Sequence, residues 1–245
     1  MNISTEITIP ILNEEDTLYK QVYKVYNFIK EHMNDLGPFG IILADNGSTD
    51  RTPEIAKLLT QELANVQYLR LDQRGVGRAL KASWGQSKAE IVGYMDLDLA
   101  TDLRYLRPAL EKLHSGQADI VTGTRLAKGA RVIGRTPLRN VTSRCFNIII
   151  KTVFQTTFSD GMCGFKFLRG NCLNKLIDAG AQSDGWFFAT EILITGEYLG
   201  YRISDLAVEW TDNPDSKVKI VKLSIEYLKA MQNLRSRLPK RKRVL

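Results

Sequence analysis

The sequence predicts an α/β fold in which a mostly parallel β-sheet is covered by helices on both faces. Short apolar runs recur along the first half of the chain and alternate with segments whose apolar residues follow helical spacing. Polar, loop-forming residues directly follow three of these runs. Strands that alternate with helices pair in parallel, and their ligand crevice lies beyond the carboxyl ends of the strands. The polar clusters therefore predict a ligand site at that edge of the sheet.

Five apolar runs are predicted to form the strands. They are residues 6–12, 40–44, 66–71, 91–95 and 120–124. A helix is predicted after the first run, because apolar residues spaced by three and four positions lie on one helical face and Gly37-Pro38 then ends the pattern. A second helix begins near Pro53, since proline is favoured in the first helical turn.

Composition limits the class of protein. The chain has 245 residues, 44% of them hydrophobic and 25% charged, which is ordinary for a globular domain. The formal net charge of +7 favours anionic partners such as nucleotide diphosphates, phospholipid surfaces or nucleic acid. Three cysteines without C-x-x-C spacing predict neither a disulfide framework nor a zinc site. With no signal-peptide pattern and no apolar run of about 20 residues, we expect a cytoplasmic protein without a membrane-spanning helix.

Two acidic residues, Asp96 and Asp98, directly follow the fourth predicted strand. Alternation at strand spacing would direct both carboxylates to one side of the chain. Carboxylate oxygens suit Mg²⁺ or Mn²⁺, and either ion could carry a diphosphate. The alternative is that the acids are solvated and cap a helix that begins near Leu103.

A second motif is the glycine-bearing loop around Gly75 and Gly77, which runs into a helix. Its backbone amides could approach a phosphate at the helix N-terminus, or the glycines could simply permit a tight turn. The chain lacks the Walker A and dinucleotide-binding glycine patterns, which disfavours a P-loop or a dinucleotide cofactor.

Several motifs, in order along almost the whole chain, resemble those of a known family. The segments 9–15, 45–50 and 96–98 are similar to the ordered motifs of inverting family-two glycosyltransferases of the GT-A fold. Four later segments narrow the resemblance to polyprenyl- or dolichyl-phosphate sugar synthases, and to the dolichyl-phosphate glucosyltransferase branch rather than the mannosyl synthases. These segments are 123–125, 160–166, 185–191 and 215–218.

The resemblance implies roles for particular residues. Asp45 would hydrogen-bond the base, Asp96 would contact the ribose or the metal, and Asp98 would ligate the metal. The residues implied at the nucleotide are Pro10, Leu12, Asn13, Glu14, Glu15, Asp45, Asn46, Gly75, Arg78 and Asp96. The implied catalytic residues are Asp98, Arg125, Arg139 and Lys217. Lys166, Trp186 and Glu191 would lie on the acceptor side.

The sequence departs from the family pattern at three positions. Ala100 stands where relatives carry a third polar group beside the metal, so water, a donor phosphate or Asp102 would complete the coordination sphere. Asn46 replaces an acid, and Ala189 replaces an Asp before Glu191. Glu191 could therefore act at the site or could orient a nearby arginine.

The implied reaction is metal-assisted transfer of a hexose, glucose first, from a UDP-sugar to polyprenyl or dolichyl phosphate with inversion. A phosphate with a second pKa of about 6 is largely ionised at neutral pH, so no general base is obligatory. Three alternatives remain open: GDP-mannose as the donor, a glycan hydroxyl as the acceptor, and a basic nucleic-acid-binding protein.

The C-terminal part of the chain predicts attachment to a membrane surface. Residues 1–215 would form the catalytic domain and residues 216–245 a basic amphipathic extension that ends in a basic run at 240–243. The predicted helix 137–158 could be a core helix or an interfacial helix that admits an isoprenoid tail. We expect a peripheral protein at the cytoplasmic membrane face, with a nucleotide sugar and a polyprenyl-phosphate lipid as partners and no nucleic acid.

Overall fold

A computed structural model describes residues 4–212 and 220–238 of the chain. The strands are β1 (Thr5–Ile11), β2 (Phe39–Asp45), β3 (Val66–Arg70), β4 (Ile91–Met95), β5 (Ile120–Thr124), β6 (Arg131–Ile133), β7 (Phe165–Arg169), β8 (Ile203–Ala207) and β9 (Glu209–Thr211). The helices are α1 (Leu18–His32), α2 (Thr52–Glu62), α3 (Val76–Gln86), α4 (Leu106–His114), α5 (Pro137–Phe154), α6 (Leu173–Asp178), α7 (Phe188–Tyr198) and α8 (Ile220–Arg237).

Seven of the strands form one sheet in the order β3-β2-β1-β4-β7-β5-β8. Neighbouring strands in this sheet pair in parallel, except that β7 is antiparallel to both β4 and β5. β6 and β9 form a separate two-stranded parallel ribbon. An isolated bridge between Thr101 and Trp210 joins this ribbon to the loop after β4. The prediction of a mostly parallel sheet is therefore confirmed, whereas the antiparallel strand β7 was not predicted.

The five predicted strands are all present, and each end lies within one residue of its predicted position. Helix α5 is shorter than predicted and ends at Phe154 rather than 158. The next residue, Gln155, has a φ of 54°, a left-handed backbone conformation that ends the helical hydrogen-bond pattern.

Helices cover both faces of the sheet and enclose two apolar cores. One core lies between the sheet and α1, α2 and α4, where Leu18, Leu59 and Leu110 are fully buried. The other lies between the sheet and α3, α5, α6, α7 and α8. Because both faces are covered, the central strands are apolar on both sides, and all five residues of β4 are buried.

The C-terminal helix α8 packs on the second core. Tyr227, Met231 and Leu234 are buried there, and the ring of Tyr227 meets the rings of Phe146 and Phe187. No helix within residues 4–212 and 220–238 has the length and hydropathy needed to cross a bilayer. The predicted domain boundary at residue 215 and the basic run 240–243 lie outside the described residues and stay predictions.

Candidate active site

Three polar loops converge at one edge of the sheet. β1 lies between β2 and β4, and all three strands are parallel, so the loops that follow them leave from the same edge. The chain reaches β2 and β3 on one side of β1, and then crosses to β4 on the other side. A crossing of this kind is where open α/β sheets place their ligand crevice. The three polar clusters predicted from the sequence therefore meet beside the boundary between β1 and β4.

The loop after β1 is held to the loop after β2 by hydrogen bonds between backbone and side chains. The backbone N–H of Asn13 donates to Ser48 Oγ at 3.0 Å, and Asn13 Oδ1 accepts from the backbone N–H of Thr49 at 2.8 Å. The backbone N–H of Glu14 donates to Thr52 Oγ1 at 2.7 Å. Asn13 has a φ of 55°, which asparagine tolerates better than most residues. The two loops consequently form one stiff wall of the crevice.

The remaining predicted residues of the first motif lie along the same wall. Glu15 Oε2 accepts from the backbone N–H of Arg51 at 3.1 Å and pairs with its Nε at 3.4 Å. Pro10 lies in β1 opposite Ala44, Leu12 directly follows the strand, and both are partly exposed. Their contact with a nucleotide stays a prediction.

Asp45 is the last residue of β2, and its buried carboxylate accepts several hydrogen bonds. Its Oδ1 accepts from the backbone N–H of Ser48 at 2.8 Å. Its Oδ2 accepts from the hydroxyl of Tyr68 at 2.7 Å and from Arg70 Nη1 at 3.0 Å. The carboxylate is fully buried, so in this structure it fixes the side of the crevice next to β3, and its predicted bond to a base stays a prediction.

The glycine-bearing loop forms a tight junction with a later loop. Gly75 has a φ of 152°, and a Cβ at this position would lie 2.3 Å from the carbonyl oxygen of Asp184. The backbone N–H groups of Gly77 and Arg78, at the start of α3, donate to the carbonyls of Gly185 and Asp184, both at 3.1 Å. These two amides are thus bound to protein carbonyls, which favours the tight-turn interpretation of the glycines over the phosphate-binding one.

Asn46 and Arg78 hold this loop by their side chains. Asn46 is buried, and its Oδ1 accepts from the backbone N–H of Gly75 at 3.2 Å. Arg78 Nη2 and Lys81 Nζ pair with the carboxylate of Asp184 at 2.6 and 2.8 Å, and these hydrogen bonds lower the pKa of Asp184. Asn46 therefore holds Gly75, Arg78 connects the start of α3 to Asp184, and the predicted contact of both residues with a nucleotide stays a prediction.

Asp96 and Asp98 lie at the crevice, but not through strand alternation, because β4 ends at Met95. The carboxylate of Asp96 lies against Gly164, where an added Cβ would stand 1.7 Å from Oδ2. Burial, and then the charge of Asp98, raise the pKa of Asp96 to about 7. Asp98 is exposed, and its Oδ1 accepts from the backbone N–H of Ala100 at 3.1 Å. Partial desolvation raises the pKa of Asp98 as well.

A third carboxylate, that of Asp212, lies near Asp98. It follows β9, its charge contributes to the raised pKa of Asp98, and its Oδ2 pairs with Arg139 Nη1 at 2.8 Å. Within the described part of the chain, no group of three or more Asp, Glu, His or Cys side chains could hold a metal ion.

Asp102 accepts from the backbone N–H of Arg104 at 2.9 Å and so caps a short helical turn. Lys217 lies outside the described residues.

Arg125 is held by a buried bidentate ion pair with Asp160. Its Nε and Nη2 donate to the two carboxylate oxygens at 2.7 and 3.0 Å, and its backbone N–H donates to Oδ2 at 3.2 Å. Asp160 also accepts from Asn147 Nδ2 and from the backbone N–H of Met162. Burial alone would raise the pKa of Asp160, but the charge and hydrogen bonds of Arg125 lower it well below its usual range. The guanidinium also stacks on the ring of Trp210, with Cζ 4.9 Å from the ring centroid.

Lys166 is almost fully buried, and its predicted place on the acceptor side stays a prediction. It lies on β7 opposite Tyr94, and its Nζ donates to the carbonyl of Cys163. Burial lowers its pKa, and the nearby carboxylates of Asp160 and Asp96 act in the opposite direction. Its charge reduces the rise in the pKa of Asp96. Lys166 thus acts on Asp96 through its positive charge.

Trp186 lies on the loop before α7 and Glu191 lies in the first turn of that helix, and their predicted place on the acceptor side stays a prediction. The carboxylate of Glu191 is fully buried and accepts from the backbone N–H and hydroxyl of Ser183 at 2.7 and 2.6 Å. It also pairs with Arg237 Nη2 at 2.8 Å, as the alternative interpretation of Glu191 expected. Trp186 is 41% exposed. Glu191 therefore connects the loop 183–187 to the C-terminal helix.

Sequence reasoning did not assign a site role to several residues that shape this crevice. Gly164 and Asp160 lie within a segment that carries the family resemblance. The contact of Gly164 with Asp96 and the ion pair of Asp160 with Arg125 became evident only in the structure. Asp212 follows a three-residue strand whose pattern gives no signal. Arg135, the residue before the N-cap of α5, was also not singled out.

Comparison with known proteins identifies the family. The model described as Glycosyl transferase family 2 matches residues 6–177. Glycosyltransferase AglD of Haloferax volcanii is 30% identical over 221 residues, which cover 90% of this chain and 35% of that protein. The dolichyl-phosphate beta-glucosyltransferase of Dictyostelium discoideum is 30% identical over 249 residues, covering 96% of this chain and 75% of that protein. The chain therefore spans about a third of the first relative and three quarters of the second.

Solved structures share the fold at low sequence identity. Glucosyl-3-phosphoglycerate synthase from Mycobacterium tuberculosis, in complex with Mn²⁺, UDP and glucosyl-3-phosphoglycerate, has a TM-score of 0.70 at 16% identity, with 98% of this chain and 82% of that chain covered. Staphylococcus aureus TarS in complex with UDP-GlcNAc has a TM-score of 0.59 at 16% identity, with 96% of this chain and 65% of that chain covered. Since the family model matches well over half of the chain and the sheet has the corresponding topology, the protein is a glycosyltransferase of family 2 with the GT-A fold.

Proposed function

We propose that this glycosyltransferase moves glucose from UDP-glucose to the phosphate of a polyprenyl or dolichyl lipid, with inversion at the anomeric carbon. The observation that carries the proposal is that acidic and basic side chains lie together at the crevice. The carboxylates of Asp98 and Asp212 are close enough for their charges to interact, and Asp212 forms an ion pair with the positively charged Arg139. The relatives named as dolichyl-phosphate glucosyltransferases support the choice of donor and acceptor.

A phosphate acceptor needs no general base. Its oxygen is already anionic near neutral pH, because the second pKa of a phosphate ester is about 6. This oxygen would attack the anomeric carbon, the bond from that carbon to the diphosphate oxygen would break, and UDP would leave with the electron pair. Glu191, a candidate base for a hydroxyl acceptor, is fully buried and bound to Ser183 and Arg237. That environment suits a structural role and supports the phosphate acceptor over a glycan hydroxyl.

The carboxylates of Asp98 and Asp96 suit a divalent cation, because carboxylate oxygens are the ligands that Mg²⁺ and Mn²⁺ prefer. No third acidic, histidine or cysteine side chain completes a metal site among the described residues, so water or the donor diphosphate would supply the other ligands. Asp98, with Asp96, would hold the ion, which when bound would neutralise charge on the diphosphate. Mn²⁺ and Mg²⁺ accompany UDP in structures of the M. tuberculosis enzyme, which supports this assignment.

Basic side chains of the protein would neutralise the remaining negative charge of the donor and acceptor phosphates. Arg139 is only partly buried beside Asp212 and could contact a phosphate from there, and Lys217 would act with it. Arg125 would act mainly by its charge, because several of its donors are bound to Asp160. Lys166 adds a second buried positive charge near Asp96.

We further propose that α5 and α8 meet the membrane surface. The two helices pack together, and apolar side chains on both are exposed. These side chains are Leu138, Val141 and Ile148 on α5, and Ile225 and Leu228 on α8. Exposed basic residues accompany them at Arg144, Lys151 and Lys229. Such a surface suits peripheral binding to anionic lipid, and we expect the cytoplasmic membrane face. Pelleting with anionic liposomes at low salt tests this, and recovery of the full chain in the supernatant would contradict it.

Direct measurement of transfer tests the proposed reaction. Purified protein is incubated with radiolabelled UDP-glucose or GDP-mannose, with a polyprenyl phosphate or a glycan acceptor, and with Mg²⁺, Mn²⁺ or EDTA. We expect lipid-linked glucose only with UDP-glucose, the polyprenyl phosphate and a divalent ion. In Asp98→Asn, transfer should fall by at least about a hundredfold while the thermal unfolding midpoint is kept. Transfer from GDP-mannose, or to the glycan alone, would replace the proposal by the corresponding alternative.

A further inference from the structure

Arg135 occupies an unusual position at the crevice. It lies between the end of β6 at Ile133 and Thr136, the N-cap residue of α5. Its Nε and Nη1 atoms are buried, and neither has a hydrogen-bond partner among residues 4–212 and 220–238. Buried guanidinium nitrogens are normally satisfied, because leaving a charged donor unpaired away from water is unfavourable. The two free donors therefore indicate a ligand.

The charges around Arg135 point to an anion. Burial, followed by repulsion from Arg125, lowers the pKa of Arg135 to about 10, and Arg139 contributes to the decrease. The carboxylates of Asp160 and Asp212 act in the opposite direction. Each of these carboxylates, however, is already paired with another arginine, Asp160 with Arg125 at 2.7 Å and Asp212 with Arg139 at 2.8 Å. No ion pair to Arg135 exists within the described residues, and both carboxylates that act on it are already engaged by another arginine.

The position of Arg135 along the chain favours the acceptor over the donor. Arg135 lies one residue before the N-cap of α5, an 18-residue helix whose N-terminal dipole adds positive potential at this point. Leu138 and Val141, in the first turns of the same helix, are 65% and 58% exposed. An anion at Arg135 would therefore lie at the start of an exposed apolar helix face. An anionic head group joined to an apolar tail has this arrangement, whereas a nucleotide diphosphate has no apolar part to place there.

We propose that Arg135 binds the phosphate of the lipid acceptor, a role additional to those of Arg125 and Arg139. The proposal rests on the proposed function. Phosphate oxygens accept hydrogen bonds from arginine with strong charge assistance, and the two free donors of Arg135 supply such bonds. The neighbouring ion pairs would then keep Arg125 and Arg139 in place while Arg135 neutralises the incoming charge.

The test compares Arg135→Gln and Arg135→Lys with the control Arg131→Gln. Arg131 is four residues away, is 73% exposed and pairs with Glu209 at 3.5 Å, so its replacement removes the same charge from the surface of the same segment. Farnesyl phosphate serves as a water-soluble acceptor and UDP-glucose as the donor. We measure the KM for each substrate, and separately the thermal shift that farnesyl phosphate or UDP alone gives to each variant.

For Arg135→Gln we expect the KM for farnesyl phosphate to rise about 10- to 100-fold and the stabilisation by farnesyl phosphate to disappear. The KM for UDP-glucose and the thermal shift with UDP should change less than about twofold, Arg135→Lys should recover part of the loss, and Arg131→Gln should behave as wild type. Because burial, and then the charge of Arg125, disfavour the charged guanidinium of Arg135, the ligand-free variant should unfold at the wild-type temperature or above. A purely structural arginine would instead lower that temperature.

The outcomes separate this inference from the proposed function. If the wild type binds farnesyl phosphate but does not glucosylate it, the proposed function fails while the difference in binding still supports Arg135. If the wild type transfers glucose but Arg135→Gln leaves the acceptor KM unchanged, the inference fails alone. Equal losses for donor and acceptor, equal effects of Arg131→Gln, or a marked loss of stability without ligand would each overturn the role of Arg135.

Discussion

The buried ion pair between Arg125 and Asp160 gives the sharpest test of how this crevice is built. Replacing Asp160 by asparagine keeps the shape of the side chain but removes the charge that faces Arg125. Both side chains are almost inaccessible, at 6% and 0% exposure, so water cannot take the place of the lost carboxylate. The arginine would then be a buried cation without its counterion.

The structure sets the size of the expected effect. Removing one member of a buried ion pair destabilises a protein by about 3–5 kcal/mol. For a chain of this length, each kcal/mol corresponds to about 2–4 °C in the unfolding midpoint, so Asp160→Asn should unfold roughly 6–20 °C below the wild type. The pKa of Asp160 lies below its usual range, so its contribution is present at neutral pH and is lost only as the pH falls through that low value. The difference between variant and wild type should therefore persist from about pH 5 to pH 8.

Thermal unfolding followed by circular dichroism measures this difference, with Asp119→Asn as the matched control. Asp119 also forms a bidentate pair, with Arg202 Nε at 3.1 Å and Nη2 at 3.0 Å, but Arg202 is 59% exposed. Its replacement should cost about 1 kcal/mol or less, because water can solvate the remaining arginine. If the two variants unfold at the same temperature, burial is not what makes the Arg125 pair important, and the argument is refuted.

Three further predictions concern the acids and glycines at the crevice. The folded protein holds a proton on Asp96 up to about pH 7, above the ordinary pKa of 3.8, so the contribution of Asp96 to stability should fall as the pH rises between these values. In EDTA, Asp96→Asn should therefore gain stability relative to the wild type as the pH rises from 5 to 8, and a constant difference would contradict this. Gly164→Ala should lower kcat/KM about a hundredfold by displacing the Asp96 carboxylate, whereas Gly85→Ala, with no atom within 4 Å of the added Cβ, should not. Glu191→Gln should weaken the ion pair with Arg237 and destabilise the protein by about 1–3 kcal/mol, while kcat stays within a few-fold of the wild type. A loss of kcat of a hundredfold or more at normal stability would instead indicate that Glu191 is a general base.

The sequence alone determined the elements that local pattern controls. The five strands up to residue 124 were predicted within one residue at each end, because runs of buried apolar residues and the turn residues that bound them are local signals. The same alternation placed polar loops after β1, β2 and β4 at one edge, since parallel strands share their carboxyl end. The family resemblance, carried by ordered motifs, was confirmed by the family model over residues 6–177.

Only the tertiary structure decided which side chains meet across the crevice. β7 inserts antiparallel between β4 and β5, and no property of residues 165–169 specifies its direction, because direction depends on which strands lie on either side. This insertion brings Gly164 against Asp96, and the loop that precedes β7 carries Asp160 to Arg125, 35 residues away in the chain. Contacts between residues so far apart in the chain produce no periodic pattern in the sequence. Whether an arginine is bound to a carboxylate, like Arg125, or retains free donors, like Arg135 among the described residues, follows from which elements pack together rather than from its neighbours in the chain.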